Sequence, residues 1–151
     1  MRGSPIAMDL LKLAALDEKD LEIISAHVQD AVMKVDDLTY RAAEKRFLVA
    51  MNRFVWEKKT GFFSKPGERR RAVLHFDRVV SVRTQSIDRA RGEDVLSLLA
   101  IRFVAAEPPA GIVELVFAGN ASIRLEVECI EVRLTDLGAA WETRSRPVHG
   151  V

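Results

Sequence analysis

Hydrophobic and polar positions alternate most clearly between Gly111 and Glu128, in two runs: Val113, Leu115 and Phe117, then Ile123, Leu125 and Val127, the second interleaved with Arg124 and Glu126. A period of two marks a strand with one buried face. The residues between the runs, Ala118-Gly119-Asn120-Ala121, include two that tolerate positive φ, so a hairpin is predicted. After Glu128 the spacing changes. Ile130, Leu134 and Leu137 fall at i, i+4 and i+7 with Gly138 behind them, which predicts a C-terminal helix closed by a left-handed cap.

Upstream, Asp17 and Asp20 precede a stripe of Leu21, Ile24 and Val28, predicting a helix over 18–29 with an acidic first turn. Met33 and Val35 alternate with Lys34 until Asp36-Asp37 interrupts and Leu38 and Tyr40 resume, the pattern of a strand broken at an acidic pair. Residues 42–45 read as a polar turn. Residues 46–56, RFLVAMNRFVW, are so nearly continuous in apolar character that a central strand covered on both faces is expected. Ala72, Leu74 and Phe76 alternate, Asp77-Arg78 breaks the rhythm, and Val80 and Val82 carry it on. Residues 95–104 give another apolar strand, and the paired prolines of AAEPPA cannot extend a ladder. Trp141 is expected to anchor the tail 139–151 to the core.

These elements define an α+β class: a curled antiparallel sheet of six or seven strands, as a split barrel or sandwich, with a helix at each end. The order of strands followed by a terminal helix is similar to that of pleckstrin-homology-like domains. A chain of 151 residues can bury one independent core, so residues 8–151 are read as a single domain. Met8 is as good a start as Met1, and residues 1–7 are expected to stand outside the fold.

Charge changes the picture only locally. With 23 basic and 22 acidic residues the formal charge is +1, so no global excess recruits nucleic acid or an anionic membrane. Residues 57–71, EKKTGFFSKPGERRR, are the exception. Six cations stand there against Glu57 and Glu68, around two adjacent aromatics, and the Gly, Pro and Ser content predicts a long loop. Lys58, Lys59, Phe62, Phe63, Arg69, Arg70 and Arg71 are its candidate binding residues: aromatics as anchors, cations to steer an acidic partner. The same composition suits stacking and backbone contacts to single-stranded nucleic acid.

Other candidate chemistry is sparse. The sequence contains no glycine-rich phosphate loop, GxSxG, HExxH or CxxC. His27 lacks a spaced carboxylate or second histidine, His75 lies among strand residues, and Asp36-Asp37 lacks the oxygen-rich spacing of a calcium loop. Neither a cofactor nor a metal is expected. One cysteine, Cys129, forms no intrachain disulfide, suits a reducing cytoplasm and reads as a buried small hydrophobe. The longest uncharged run, Leu115 to Ile123, is far short of the roughly twenty residues that span a bilayer.

The segments LDEKDLEIISAHVQDAVMKVDDL, RFLVAMNRFVWE, FDRVVSVRTQSID and LVFAGNASIRLEVECIEVRLTDLG, followed by RSRP, together resemble an uncharacterised proteobacterial family, domain of unknown function 2948. The resemblance covers nearly the whole chain after Met8 and implies a bacterial, cytoplasmic protein without an assigned activity, cofactor or catalytic residue. Three readings follow: a non-catalytic module for a protein partner, acting through the loop or an exposed strand edge; an RNA or single-stranded nucleic acid binder using the same loop; and, behind both, a small enzyme with a pocket beside the C-terminal helix. An uncovered edge strand would also permit a homodimer.

Overall fold

The computed structural model describes residues 10–55 and 68–140. Among them ten strands, every pairing antiparallel, make one sheet accompanied by one α-helix. Across the sheet run β1 (Lys12–Ala15), β10 (Val132–Ala139), β5 (Arg69–Phe76), β4 (Arg46–Phe54), β2 (Val32–Lys34), β7 (Val95–Ala105), β8 (Gly111–Phe117), β9 (Ser122–Val127) and β6 (Val79–Gln85). A further strand, β3 (Leu38–Arg41), pairs with β4 on the side that β2 also uses. The sheet curls so that the inner residues of both halves share one core, but it does not close into a barrel: β6 pairs with β9 alone and β1 with β10 alone.

The strands follow from strict alternation. β8 buries Val113, Leu115 and Phe117 and β9 buries Ile123, Leu125 and Val127, in a register that sets Val113 opposite Leu125 and Leu115 opposite Ile123. Each such side chain contributes about 1.5–3 kcal/mol on leaving water. The turn between them holds Gly119 at φ 80° and Asn120 at φ 63°, the positive values that its residue types accommodate. The helix α1 (Glu18–His27) begins at Asp17, whose side chain accepts a hydrogen bond from the Asp20 N–H at 2.8 Å. It buries Leu21 and Ile24 and lies against β1 and β7, where Ser25 Oγ accepts the Ile101 N–H at 2.9 Å. That bond serves a backbone group just past the irregularity between Leu98 and Ala100.

Several expectations are corrected. Among the described residues no C-terminal helix follows the hairpin: Val132–Ala139, where it was expected, is β10, inserted between β1 and β5. Ile130 and Leu134 are buried as a helical stripe would have them, but the rule obeyed is alternation through Val132, Leu134 and Asp136, and Leu137 is exposed. An acidic residue at the third inward position disguised the period. Gly138 caps nothing. It sits at φ 153° where the register slips against β5, a bulge position that glycine tolerates.

Among the described residues the strand count is ten, not six or seven. β1, β2 and β3 have only three or four residues each, too few to display a period, and one turn of 3-10 helix at Val35–Asp37 divides β2 from β3. β4 alternates buried and half-buried residues rather than being covered on both faces. The loop is shorter than 57–71 at its far end, since Arg69, Arg70 and Arg71 open β5. Lys58, Lys59, Phe62, Phe63 and Trp141 lie outside the described residues.

Candidate interaction surface

The inner face of β4, β5 and β10 begins apolar and ends ionic. Phe47 and Phe76 pack with ring centroids 6.3 Å apart, and Val49, Met51, Ala72, Leu74 and Leu134 continue the apolar part. The next inward residues are Arg53, Arg70 and Asp136. The Arg53 guanidinium holds Asp136 in two 2.8 Å hydrogen bonds, and both side chains are fully buried. Arg70 approaches the same carboxylate at 3.5 Å and reaches Glu68 at 3.3 Å. The Leu11 N–H completes the set on Asp136 at 2.9 Å. One carboxylate therefore ties together β4, β5, β10 and the residue before β1.

This network redefines the three arginines that the sequence placed in a loop. Arg70 is buried in it. Arg71, half-buried on the outer face, reaches Asn52 at 3.2 Å and Asp37 at 3.4 Å. The Arg69 guanidinium lies 4.8 Å from the centroid of the Phe54 ring, a cation–π contact. Arg69 and Arg71 thus face outward on β5 while Arg70 faces in, the ordinary consequence of strand geometry.

Alternation also assembles residues that the linear sequence did not bring together. On the outer face of β5 the side chains after Arg71 are Val73 and His75, and register places Leu48 and Arg133 on either side of His75. Next to them Asp77 accepts hydrogen bonds from Arg46 at 2.7 Å and Arg133 at 3.4 Å. His75 Nδ1 is buried without a hydrogen-bond partner. Burial, and then the charges of Arg133 and Arg46, hold its pKa below the ordinary histidine value, with Asp77 opposing. Arg46 and Arg133 went unnoticed because strands separated by most of the chain supply them. Arg53 did carry a signal: it is in phase with Phe47, Val49 and Met51.

The remaining candidates are quickly placed. His27 Nδ1 lies 3.0 Å from the Ile23 carbonyl, within its own helix. Asp37 accepts the Lys34 N–H at 2.9 Å, so the acidic pair serves a turn. Among the described residues no cluster of histidine, cysteine and carboxylate side chains could hold a metal ion. Cys129 is half-buried rather than buried. No helix among the described residues is long and apolar enough to cross a membrane.

An apolar core ending in a buried ion network, on an open, all-antiparallel curl, defines a small β-rich domain. The chain belongs to the family described as "Protein of unknown function (DUF2948)", whose model matches residues 11–149. No curated protein and no solved structure matches it.

Proposed function

We propose that the protein is a non-catalytic binding module that receives an acidic protein partner on the outer face of β4, β5 and β10 together with the basic aromatic stretch joining β4 to β5. One observation carries this reading. Arg46, Arg69, Arg71 and Arg133 occupy that face and Lys12 of β1 and Arg41 of β3 continue it, whereas Asp37, Glu44 and Asp77 are its carboxylates and Glu131 at its rim is paired with Arg78. A face of one prevailing sign raises the on-rate of a complementary partner. Lys58 and Lys59 extend the field, Phe62 and Phe63 supply apolar anchors, and Arg69 and Arg71 border both regions. Arg70 acts from beneath, holding β5 in place. Its single cysteine suits such a module to a reducing cytoplasm.

The test is capture from bacterial lysate at low salt with the native protein and with a variant carrying Lys58→Glu, Lys59→Glu and Arg133→Glu. The native form is expected to retain a discrete acidic protein that the folded variant loses. Retention of RNA, with affinity falling steeply as salt rises, would replace this reading by nucleic acid binding. Equal retention by both forms would remove the basic face from the argument.

A further inference from the structure

Away from the outer face of β4, β5 and β10, the curled sheet leaves a seam between β3 and β6, which are not paired with each other. At its start the seam is fastened: the Tyr40 hydroxyl donates to the Val79 carbonyl at 2.9 Å, and the Val79 N–H donates to the Lys45 carbonyl at 2.9 Å. Beyond that point no ladder joins β3 to β6. Register makes Val79, Val82 and Thr84 the inward residues of β6, opposite Val127, Leu125 and Ile123. Their partners Leu125 and Ile123 are fully buried, yet along β6 exposure grows from buried Val79 through half-buried Val82 to exposed Thr84. Inward positions of a sheet are therefore left open to solvent.

The opening is a gap of about 170 Å³ lined by Leu38, Tyr40, Phe47, Val82, Thr84 and Arg89. Its chemistry is asymmetric. Leu38, Phe47, Val82 and the Tyr40 ring form an apolar floor, and because the Tyr40 hydroxyl is already engaged by Val79 it asks nothing of a ligand. Thr84 and Arg89 are the polar groups. Arg89 stands on the turn after β6, where Asp88 is occupied by the Ala90 N–H at 2.9 Å. Among the described residues Arg89 makes no ion pair, although Arg91, two positions on, is paired with Asp94. A guanidinium at the rim of an apolar pocket is fitted to a carboxylate, which it can hold with two parallel hydrogen bonds.

We propose that this gap is a binding site for a small organic acid, an apolar body of about one aromatic ring carrying a single carboxylate. Size sets the upper bound: an apolar cavity of about 150 Å³ holds one benzene, whereas drug-sized ligands need about 300 Å³ or more. The ring lies on Tyr40, Phe47 and Val82, the carboxylate meets Arg89, and the Thr84 hydroxyl donates to its second oxygen. Charge selects the acid over its neutral analogues, and the fastened end of the seam limits the length of the apolar body.

The test titrates the full chain, labelled for amide NMR, with phenylacetate, with its uncharged counterpart phenylacetamide and with acetate. Phenylacetate should shift the amides of Tyr40, Val82, Thr84 and Arg89 saturably, with phenylacetamide and acetate each weaker by about tenfold or more, the effect of losing a charge-assisted hydrogen bond or the apolar contact. Arg89→Gln should weaken phenylacetate by the same factor. Arg83→Gln is the control: it removes an equal charge from the outward side of β6 and should leave binding unchanged. Val82→Trp, which fills the gap from an already half-exposed position, should abolish the shifts while the rest of the spectrum stays dispersed. No saturable shift, equal binding of the amide, or equal sensitivity to Arg83→Gln and Arg89→Gln would overturn the proposal. So would shifts that persist in Val82→Trp.

Discussion

The two ends of one inner face are equally buried and chemically opposite. At one, the Phe47 and Phe76 rings pack tilted by 50°; at the other, Arg53 and Arg70 surround the single carboxylate of Asp136. An apolar end is held by the loss of water and tolerates small changes of shape. An ionic end is held by completeness, because each charge taken from water must find its partner in place. The first is forgiving and unspecific, the second unforgiving and selective for one register.

The largest expected effect follows from breaking the ionic end on one side. Asp136→Ala leaves the fully buried Arg53 guanidinium uncompensated and should cost about 3–5 kcal/mol, read from denaturant unfolding. Replacing all the partners together is the sharper experiment. Arg53→Met, Arg70→Met and Asp136→Leu in one chain should recover most of that loss, because an apolar set of similar volume can match a buried ion network in stability. A triple variant no more stable than Asp136→Ala would mean that the charges do more than cancel one another.

At the apolar end Phe76→Leu, which keeps the face apolar, should cost no more than about 1.5 kcal/mol. It should also leave the denaturant slope unchanged. A loss as large as that of Asp136→Ala would erase the contrast between the ends.

The smallest effect belongs to the outer side of the same strands. The pKa of His75 is lower folded than unfolded, so the unfolded chain binds the proton more readily. Its contribution to stability is complete above the unfolded value of about 6.5 and is lost as pH falls from there through the folded pKa. Stability should therefore decline between near-neutral and mildly acidic pH, and His75→Gln should flatten that part of the profile. An unchanged slope would assign it to carboxylates.

The same contrast explains what the sequence disclosed. Where inward residues were apolar the elements were legible: the hairpin 111–127, the helix begun by Asp17 and the break at Asp77-Arg78 all lie where patterning puts them. At two of the three inward charges the reading failed, Arg53 being carried by the apolar run around it. Asp136 turned an alternating strand into an apparent helix, and Arg70 turned the start of β5 into the end of a loop, because a buried charge is intelligible only beside its partner. Leu11 and Asp136, 125 positions apart, cannot be matched by local inspection. The basic face was hidden for a related reason: Arg46 and Arg133 become neighbours only once β4, β5 and β10 pair.

The place of β10 also has a consequence for the order of assembly. It is an interior strand supplied late, entering between β1 and β5 and bringing the carboxylate that Arg53 and Arg70 surround. During synthesis both arginines emerge from the ribosome well before Asp136, so until then neither can be buried at full benefit and the slot beside β5 exposes an unpaired edge. Only with β10, the last of the described strands in chain order, does the interior hold the carboxylate that balances both arginines.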